Sequence, residues 1–270
     1  MARNRIPSRP KSGRGDVEEG SAKMEQLTKY DLARYQRQML ISGWGEEGQV
    51  KIKSSRVFIA GAGGLGSPVS IYLAVAGVGE IRICDADVIE LSNLNRQILH
   101  SDKRIGQPKA ESAANTLREL NPTIQVIPCR AYLDERSVDE IVGKPDVVVD
   151  CLDNFETRYL LNTYCLNNRI PLVHGAIWGF LGQVTFIYPP ETPCLRCFFA
   201  GAPPKAVFPV IGATPGFTGC FQAMEVLKFV TGTGTNLKGK LLMIDGEDMT
   251  FATVNMERKE SCPDCGGLRR

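Results

Sequence analysis

The chain has 270 residues, 43% of them apolar and 23% charged, with a formal net charge of +2. Those values suit one large α/β domain or two small ones, and they give no global basic field for nucleic acid. No run of about 18 apolar residues marks a membrane span, and the first ten residues lack the apolar core of a secretory leader, so a cytoplasmic, reducing setting is expected. Only two histidines occur, His100 and His174. They leave little material for Ser-His-Asp or Cys-His hydrolase chemistry.

Residues 1–24 mix Pro, Gly, Ser and charge without apolar periodicity, which reads as a disordered tail. Residues 25–54 carry Leu32, Tyr35, Met39 and Leu40 at helical spacing. Strands are then expected at Arg56–Ala60, Glu80–Asp85, Ile124–Cys129, Asp146–Cys151 and Pro171–His174. Helices are expected between them at Ser67–Ala76, Pro108–Leu120, Ser137–Val142 and Arg158–Asn168. This rhythm predicts a parallel sheet covered on both faces. Beyond residue 180 it changes: strands at Gln183–Tyr188, Lys240–Ile244 and Met249–Met256, one helix at Phe221–Phe229, and a hairpin turn at Asp245-Gly246-Glu247-Asp248. The expected fold class is α/β: a Rossmann-like doubly wound parallel sheet continued by an antiparallel C-terminal half. The expected organisation is one domain over 25–270, with a nucleotide-binding half to about 175 and an antiparallel half after it.

Gly61-x-Gly63-x-x-Gly66, with Gly64 as an extra glycine, lies between a strand and a helix. In that context the backbone can turn tightly and approach a phosphate at the helix N-terminus. Asp85 ends the next strand, where an acid can bind ribose hydroxyls. The plain alternative is a tight turn with no ligand. Alone, the pattern favours NAD over ATP, because it lacks the Gly-Lys-Ser/Thr ending of a P-loop.

The residues downstream shift that balance. Asp87, Ser92, Asn93, Leu94, Asn95, Arg96 and Gln97 form a polar cluster beside the crevice, followed by Lys109 in Gly106-Gln-Pro-Lys109. An enzyme that splits a nucleotide must stabilise charge on leaving pyrophosphate with cationic and amide donors. Arg96 can bind phosphate bidentately and Lys109 supplies a point charge; the alternative is a solvated loop. Asp150-Cys-Leu-Asp153-Asn154 closes the fourth strand. Asp153 suits Mg²⁺, while Asp153 or Asn154 also suits a helix N-cap.

In this order and spacing, Gly61–Gly66, Ser92–Gln97, Gly106–Lys109 and Asp150–Asn154 resemble the MoeB/ThiF/HesA family, relatives of ubiquitin-activating enzymes. The match runs from about Leu32 to Cys265. The resemblance implies adenylation of the C-terminal Gly-Gly carboxylate of a small ubiquitin-like sulfur carrier, with ATP contacts at Gly64, Asp85, Ser92–Arg96, Lys109, Asp153 and Asn154. It also gives Arg34-Tyr-Gln-Arg37-Gln38 a role: Arg37 would reach the ATP site of a partner subunit, which implies a homodimer. Without the resemblance, that motif reads as a solvent-facing basic patch. The rival readings are an NAD(P)-dependent oxidoreductase and a non-catalytic binder of a ubiquitin-like partner.

Cys194-x-x-Cys197 and Cys262-x-x-Cys265 offer four thiolates to one structural Zn²⁺; a redox dithiol at either pair is the alternative. Cys84, Cys129, Cys151, Cys165 and Cys220 fall in apolar segments and read as small buried hydrophobes. Many members of the family carry a cysteine in the loop after the first pair. Here Phe198–Thr218 has none, with Phe208 or Pro209 near the expected place. Cys220 follows, just before the expected helix. A thioester route therefore loses support, and a separate sulfur donor is implied.

Overall fold

A computed structural model describes residues 26–199, 201 and 209–268. The tail assigned to residues 1–24 lies outside the described residues, as does Phe208.

The sheet has eight strands in the order β3-β2-β1-β4-β5-β6-β7-β8. They are β1 (Arg56–Ala60), β2 (Glu80–Cys84), β3 (Gln125–Cys129), β4 (Val147–Asp150), β5 (Leu172–Trp178), β6 (Leu181–Ile187), β7 (Lys240–Asp245) and β8 (Thr250–Asn255). Strands β1 to β5 pair in parallel; β5 to β8 pair antiparallel. The sheet is thus the parallel-then-antiparallel α/β arrangement expected from the sequence. The order reverses between β1 and β4, where Ala60 stands beside both Cys84 and Asp150. Loops that leave those three strand ends share one crevice, the usual ligand position in such sheets.

Alternation along β1 explains the two-sided cover. Val57 and Ile59 enter one apolar core with helices α4 (Gly66–Ala76), α5 (Lys109–Leu120) and α9 (Ala213–Thr231). Phe58 and Ala60 enter the other with α6 (Val138–Val142) and α7 (Phe155–Asn168). Successive strand residues face opposite sides, so a continuous apolar run such as Val147-Val148-Val149 must be covered on both.

The structure corrects three expectations. Residues 25–54 do not make one helix: among the described residues they form α1 (Lys29–Arg34), α2 (Gln36–Met39) and α3 (Gly45–Ser54). Gly43 and Gly45, both at positive φ, break the run. Helix α9 begins eight residues before the expected Phe221, since Pro215 lies in its first turn, where a missing N–H costs nothing. Cys220 is therefore inside α9, not ahead of it, and is half-buried, as is Cys129. The internal Gly219 also disguised the helix. A Cβ there would stand 2.5 Å from Pro68 and 2.8 Å from the Leu65 carbonyl, so glycine lets α9 pack against α4. A short helix, α8 (Leu195–Phe198), lies within the first Cys pair.

Candidate functional site

The glycine loop leaves β1 with Gly61 at φ +102°, and a Cβ on Gly61 would meet the Cys151 carbonyl at 2.6 Å. Gly66 is tighter, with a Cβ position 2.0 Å from the Gly61 carbonyl. The loop thus folds on itself and against the end of β4. Among the described residues, no acceptor takes the backbone N–H of Gly63 or Gly64. Both precede the N-terminus of α4, where donors and dipole favour an anion.

Asp85 closes the loop from below: its Oδ2 accepts from Ala62 N–H at 2.8 Å and its Oδ1 from Asp87 N–H at 2.9 Å. Burial raises its carboxyl above the ordinary range, against those two bonds and the nearby Lys109 charge. Lys109 opens α5, is buried, and donates from Nζ to Asp87 Oδ2 at 3.0 Å. Asp87 therefore holds Lys109 twice, since its carbonyl also accepts from the Lys109 backbone N–H at 2.9 Å. Asn93 caps a 3-10 turn over Leu91–Asn93, accepting from Glu90 N–H, and is buried. Arg96 lies half-buried, its guanidinium held by the Ser92 carbonyl at 3.0 Å and Asn95 Oδ1 at 2.9 Å. The Arg96 stem and Pro215 of α9 flank Gly64. Gln97 is buried, faces Gly63, and its Oε1 has no hydrogen-bond partner among the described residues. Ser92 and Asn95 are exposed and Leu94 is half-buried on the same loop. Asp153 is exposed at the mouth, while Asn154 caps α7 by accepting from Thr157 N–H at 2.9 Å. The N-cap role anticipated for this pair falls to Asn154.

The structure thus gathers Gly61, Gly63, Gly64, Gly66, Asp85, Asp87, Ser92–Gln97, Lys109, Asp153 and Asn154 around one switch point. Arg37 is not among them. It is exposed on α2, next to Gln38, which donates to the Ala76 carbonyl at the far end of α4. Helix α4 has eleven residues, about 16 Å. Arg37 therefore stands roughly a helix length from its own crevice.

Sequence reasoning missed the buried support under β4. Asp150 Oδ2 takes the His174 ring Nδ1 at 2.6 Å and faces Arg158 Nε at 3.5 Å, while Oδ1 accepts from Leu152 N–H. Arg158 also donates to the carbonyls of Leu152 and Gly175, and Gln222 of α9 donates to the Asp150 carbonyl. This cluster fixes the turn that presents Asp153. Burial pushes the Asp150 carboxyl upward, but Arg158 and His174 outweigh it and hold it below the usual range. Burial pulls His174 below the ordinary histidine value of 6.5 despite Asp150. Asp150 is therefore the anion of Arg158, and His174 a neutral donor. The only available signal was the pattern Asp-Cys-Leu-Asp-Asn-x-x-x-Arg, one helical turn into α7.

A pH prediction follows with its sign. His174 and His100 are both held low, by burial first. The unfolded chain takes up protons below about 6.5 and the folded chain does not, so stability is full above that value and falls as pH drops through it. Asp85, held high, works in the opposite sense at more acid pH. Urea midpoints should fall between pH 7.5 and 5.5, and His174→Asn should flatten that slope; equal slopes in the two proteins would refute the assignment.

The second centre is a cluster of four buried cysteines. The Sγ atoms of Cys194, Cys197, Cys262 and Cys265 lie within 4.8 Å of one another. Tetrahedral Zn–S bonds of about 2.3 Å would place sulfurs about 3.8 Å apart, and the pairs Cys194–Cys262 and Cys197–Cys265 stand at 3.6 and 3.4 Å. The donor set fits zinc, and both pairs converge on one centre rather than forming separate dithiols. Asp264, inside the second pair, binds Asn162 of α7 at 3.0 Å and Arg196 of the first pair at 2.8 Å.

Beyond the two centres, the antiparallel strands expose an apolar face. Trp178, Leu181 and Met243 are exposed on it in register, and all of β8 is open to solvent; Phe251 lies on the opposite face, against Phe221 of α9. A cavity of about 370 Å³ lies on this face, lined by Ala176, Trp178, Leu181, Met243, Ile244 and Ala252. Among the described residues, no helix is long and apolar enough to cross a membrane.

Comparison with known proteins agrees with this layout. Residues 35–264 match the ThiF family. The chain is 49% identical over 241 residues to the SAMP-activating enzyme E1 of Haloferax volcanii, covering 87% of this chain and 89% of that one. It is 40% identical over 245 residues to the heterocyst protein HesA of Trichormus variabilis, covering 90% and 92%. Against the adenylyltransferase and sulfurtransferase MOCS3-1 of Zea mays, identity is 41% over 240 residues, and the match spans 51% of that longer protein. Among solved structures, E. coli MccB with ATP superposes at a TM-score of 0.77, with 27% identity over 86% of this chain and 73% of that one. The chain belongs to the ThiF family and is an adenylyltransferase of the MoeB and ThiF type.

Proposed function

We infer that this chain adenylates the C-terminal Gly-Gly carboxylate of a small ubiquitin-like sulfur carrier, giving acyl-AMP and pyrophosphate before a separate sulfur donor displaces AMP. The observation that carries the reading is the convergence of the open glycine loop, Arg96, Lys109 and Asp153 on one switch point. A carboxylate is already ionised near neutral pH, so the reaction needs alignment and charge stabilisation more than acid–base groups. Arg96 and Lys109 face the leaving phosphates, Asp85 the ribose, and Asn93, Asn95 and Gln97 supply amides. Asp153 would hold Mg²⁺, which supplies charge neutralisation on the phosphates when bound. No cysteine stands among Phe198–Thr218, which supports direct transfer from the adenylate.

Residues 25–270 act as one adenylation unit in this reading, in the cytoplasm. Arg37 serves a second copy of the chain. Its distance from its own crevice supports that role, as do the exposed Leu40 and Ile41 beside it and the exposed Leu91 and Ile98 on the crevice rim. The carrier body rests on the apolar face of β5 to β8, its tail entering the crevice. Met243→Glu should weaken carrier affinity by more than about tenfold and leave ATP affinity unchanged, as read by titration calorimetry; unchanged carrier affinity would remove this face from the account.

The test of the function is ATP–pyrophosphate exchange on addition of a Gly-Gly-ended carrier, with nicotinamide reduction measured in parallel. Carrier-dependent exchange supports adenylation. Nicotinamide turnover would support an oxidoreductase, and carrier binding without exchange a non-catalytic binder.

A further inference from the structure

His100 is buried, and both ring nitrogens are engaged: Nδ1 with Ser112 Oγ at 3.0 Å, and Nε2 with the Ala62 carbonyl at 3.0 Å. The Ala62 end sets the polarity of this chain. Arg104 Nη1 lies alongside, donating to Thr116 Oγ1 at 2.6 Å and the Ser112 carbonyl at 2.9 Å, with Ser112 Oγ at 3.4 Å. The Ala62 carbonyl can only accept. Nε2 therefore carries the ring proton to Ala62, and in the neutral ring Nδ1 accepts from the Ser112 hydroxyl. Burial beside Lys109 and Arg104 disfavours a second ring proton.

The Ala62 carbonyl belongs to the peptide group that ends in the Gly63 N–H. In a planar trans peptide, C=O and N–H point in opposite directions. Holding the Ala62 oxygen toward His100 aims the Gly63 N–H away from it. That donor meets no acceptor among the described residues. The preceding peptide is fixed as well, since Ala62 N–H donates to Asp85. Two adjacent peptide planes of the loop are thus locked before any nucleotide arrives.

We propose that His100 is a positioning residue, held in its Nε2–H tautomer by the Ala62 carbonyl with Ser112 on Nδ1, that aims the Gly63 N–H as a donor to nucleotide phosphate. The proposal rests on the nucleotide reading above.

Two substitutions separate the contact from general packing. Gln places an amide nitrogen where Nε2 stands; Asn places one near Nδ1 and leaves the Ala62 oxygen bare. His100→Asn should raise the Kd for ATP about tenfold, the loss expected for one unpaired buried acceptor and its misaimed neighbour. Adenosine, which lacks phosphate, should bind as it does to the wild type, and His100→Gln should stay within about threefold of wild type. Equal ATP affinities for the Asn and Gln variants, or parallel losses of ATP and adenosine, would overturn the proposal while wild-type ATP binding left the nucleotide reading intact. Absence of ATP binding by the wild type would defeat that reading and this one together. A second measurement needs no folded variant: ¹⁵N-histidine spectra of the wild-type chain, which has only two histidines, should give the neutral Nε2–H pattern for His100 near neutral pH. An Nδ1–H or doubly protonated ring would overturn the proposal.

Discussion

Asp153→Ala is expected to lower carrier-dependent ATP–pyrophosphate exchange by roughly two to three orders of magnitude, the usual cost of removing a group that stabilises developing phosphate charge. Its unfolding midpoint should stay within about a degree or two of wild type, because surface changes away from caps and networks cost little. The contrast comes from the fold. Asp153 is exposed at the crevice mouth, whereas its neighbours on the same turn are committed elsewhere. Asp150 is the buried anion of Arg158, and Asn154 caps α7. Asp150→Ala would strand Arg158 in the interior and cost about 3–5 kcal/mol, so lost activity there would not separate chemistry from folding. Asp153→Asn sharpens the test, since it keeps shape and removes charge. Added Mg²⁺ should rescue it partially if metal holding is the role. Wild-type exchange in Asp153→Ala would dismiss the residue from the chemistry.

Cys197→Ser is expected to lose the metal and unfold the C-terminal segment while the sheet persists. Wild-type protein should contain one zinc per chain by elemental analysis. Apparent binding energies of about 10–16 kcal/mol for structural zinc rival the whole stability of a domain, about 5–15 kcal/mol. The segment around Cys262 and Cys265 has few other anchors. Its apolar neighbours are Leu166, Phe198 and Leu268; its polar ties to the rest of the chain include Asp264 to Asn162 and Arg196 and Arg258 to the Pro190 carbonyl, while Arg258 also donates within the segment to the Cys265, Gly266 and Leu268 carbonyls. Far-UV circular dichroism should therefore change little, and proteolysis should release the last residues. A metal-free wild type, or a Ser variant with unaltered proteolysis, would reject the zinc centre.

Arg37 illustrates what one chain's geometry contributes. Its motif reads equally as a basic patch, and the fold places it at the end of α4 opposite the glycine loop. Among the described residues it stands away from the crevice of its own chain, so the role proposed for it requires a second copy.

The local sequence by itself determined the parallel strands, the glycine turn and the pairing of cysteines. Each is a short-range property: strand runs and helix spacing follow from side-chain period, and a positive φ or close backbone approach demands glycine wherever it occurs. Helix α9 escaped because its Pro215 and Gly219 look like breakers until α4 packs beside them. The Asp150–Arg158–His174 cluster and the His100 hold on Ala62 escaped for a related reason. Their partners lie 8 to 38 positions apart, and which donor meets which acceptor is set by strand register and helix docking. Only the tertiary structure decided those pairings, because a buried polar atom takes its partner from whatever chain the core brings against it.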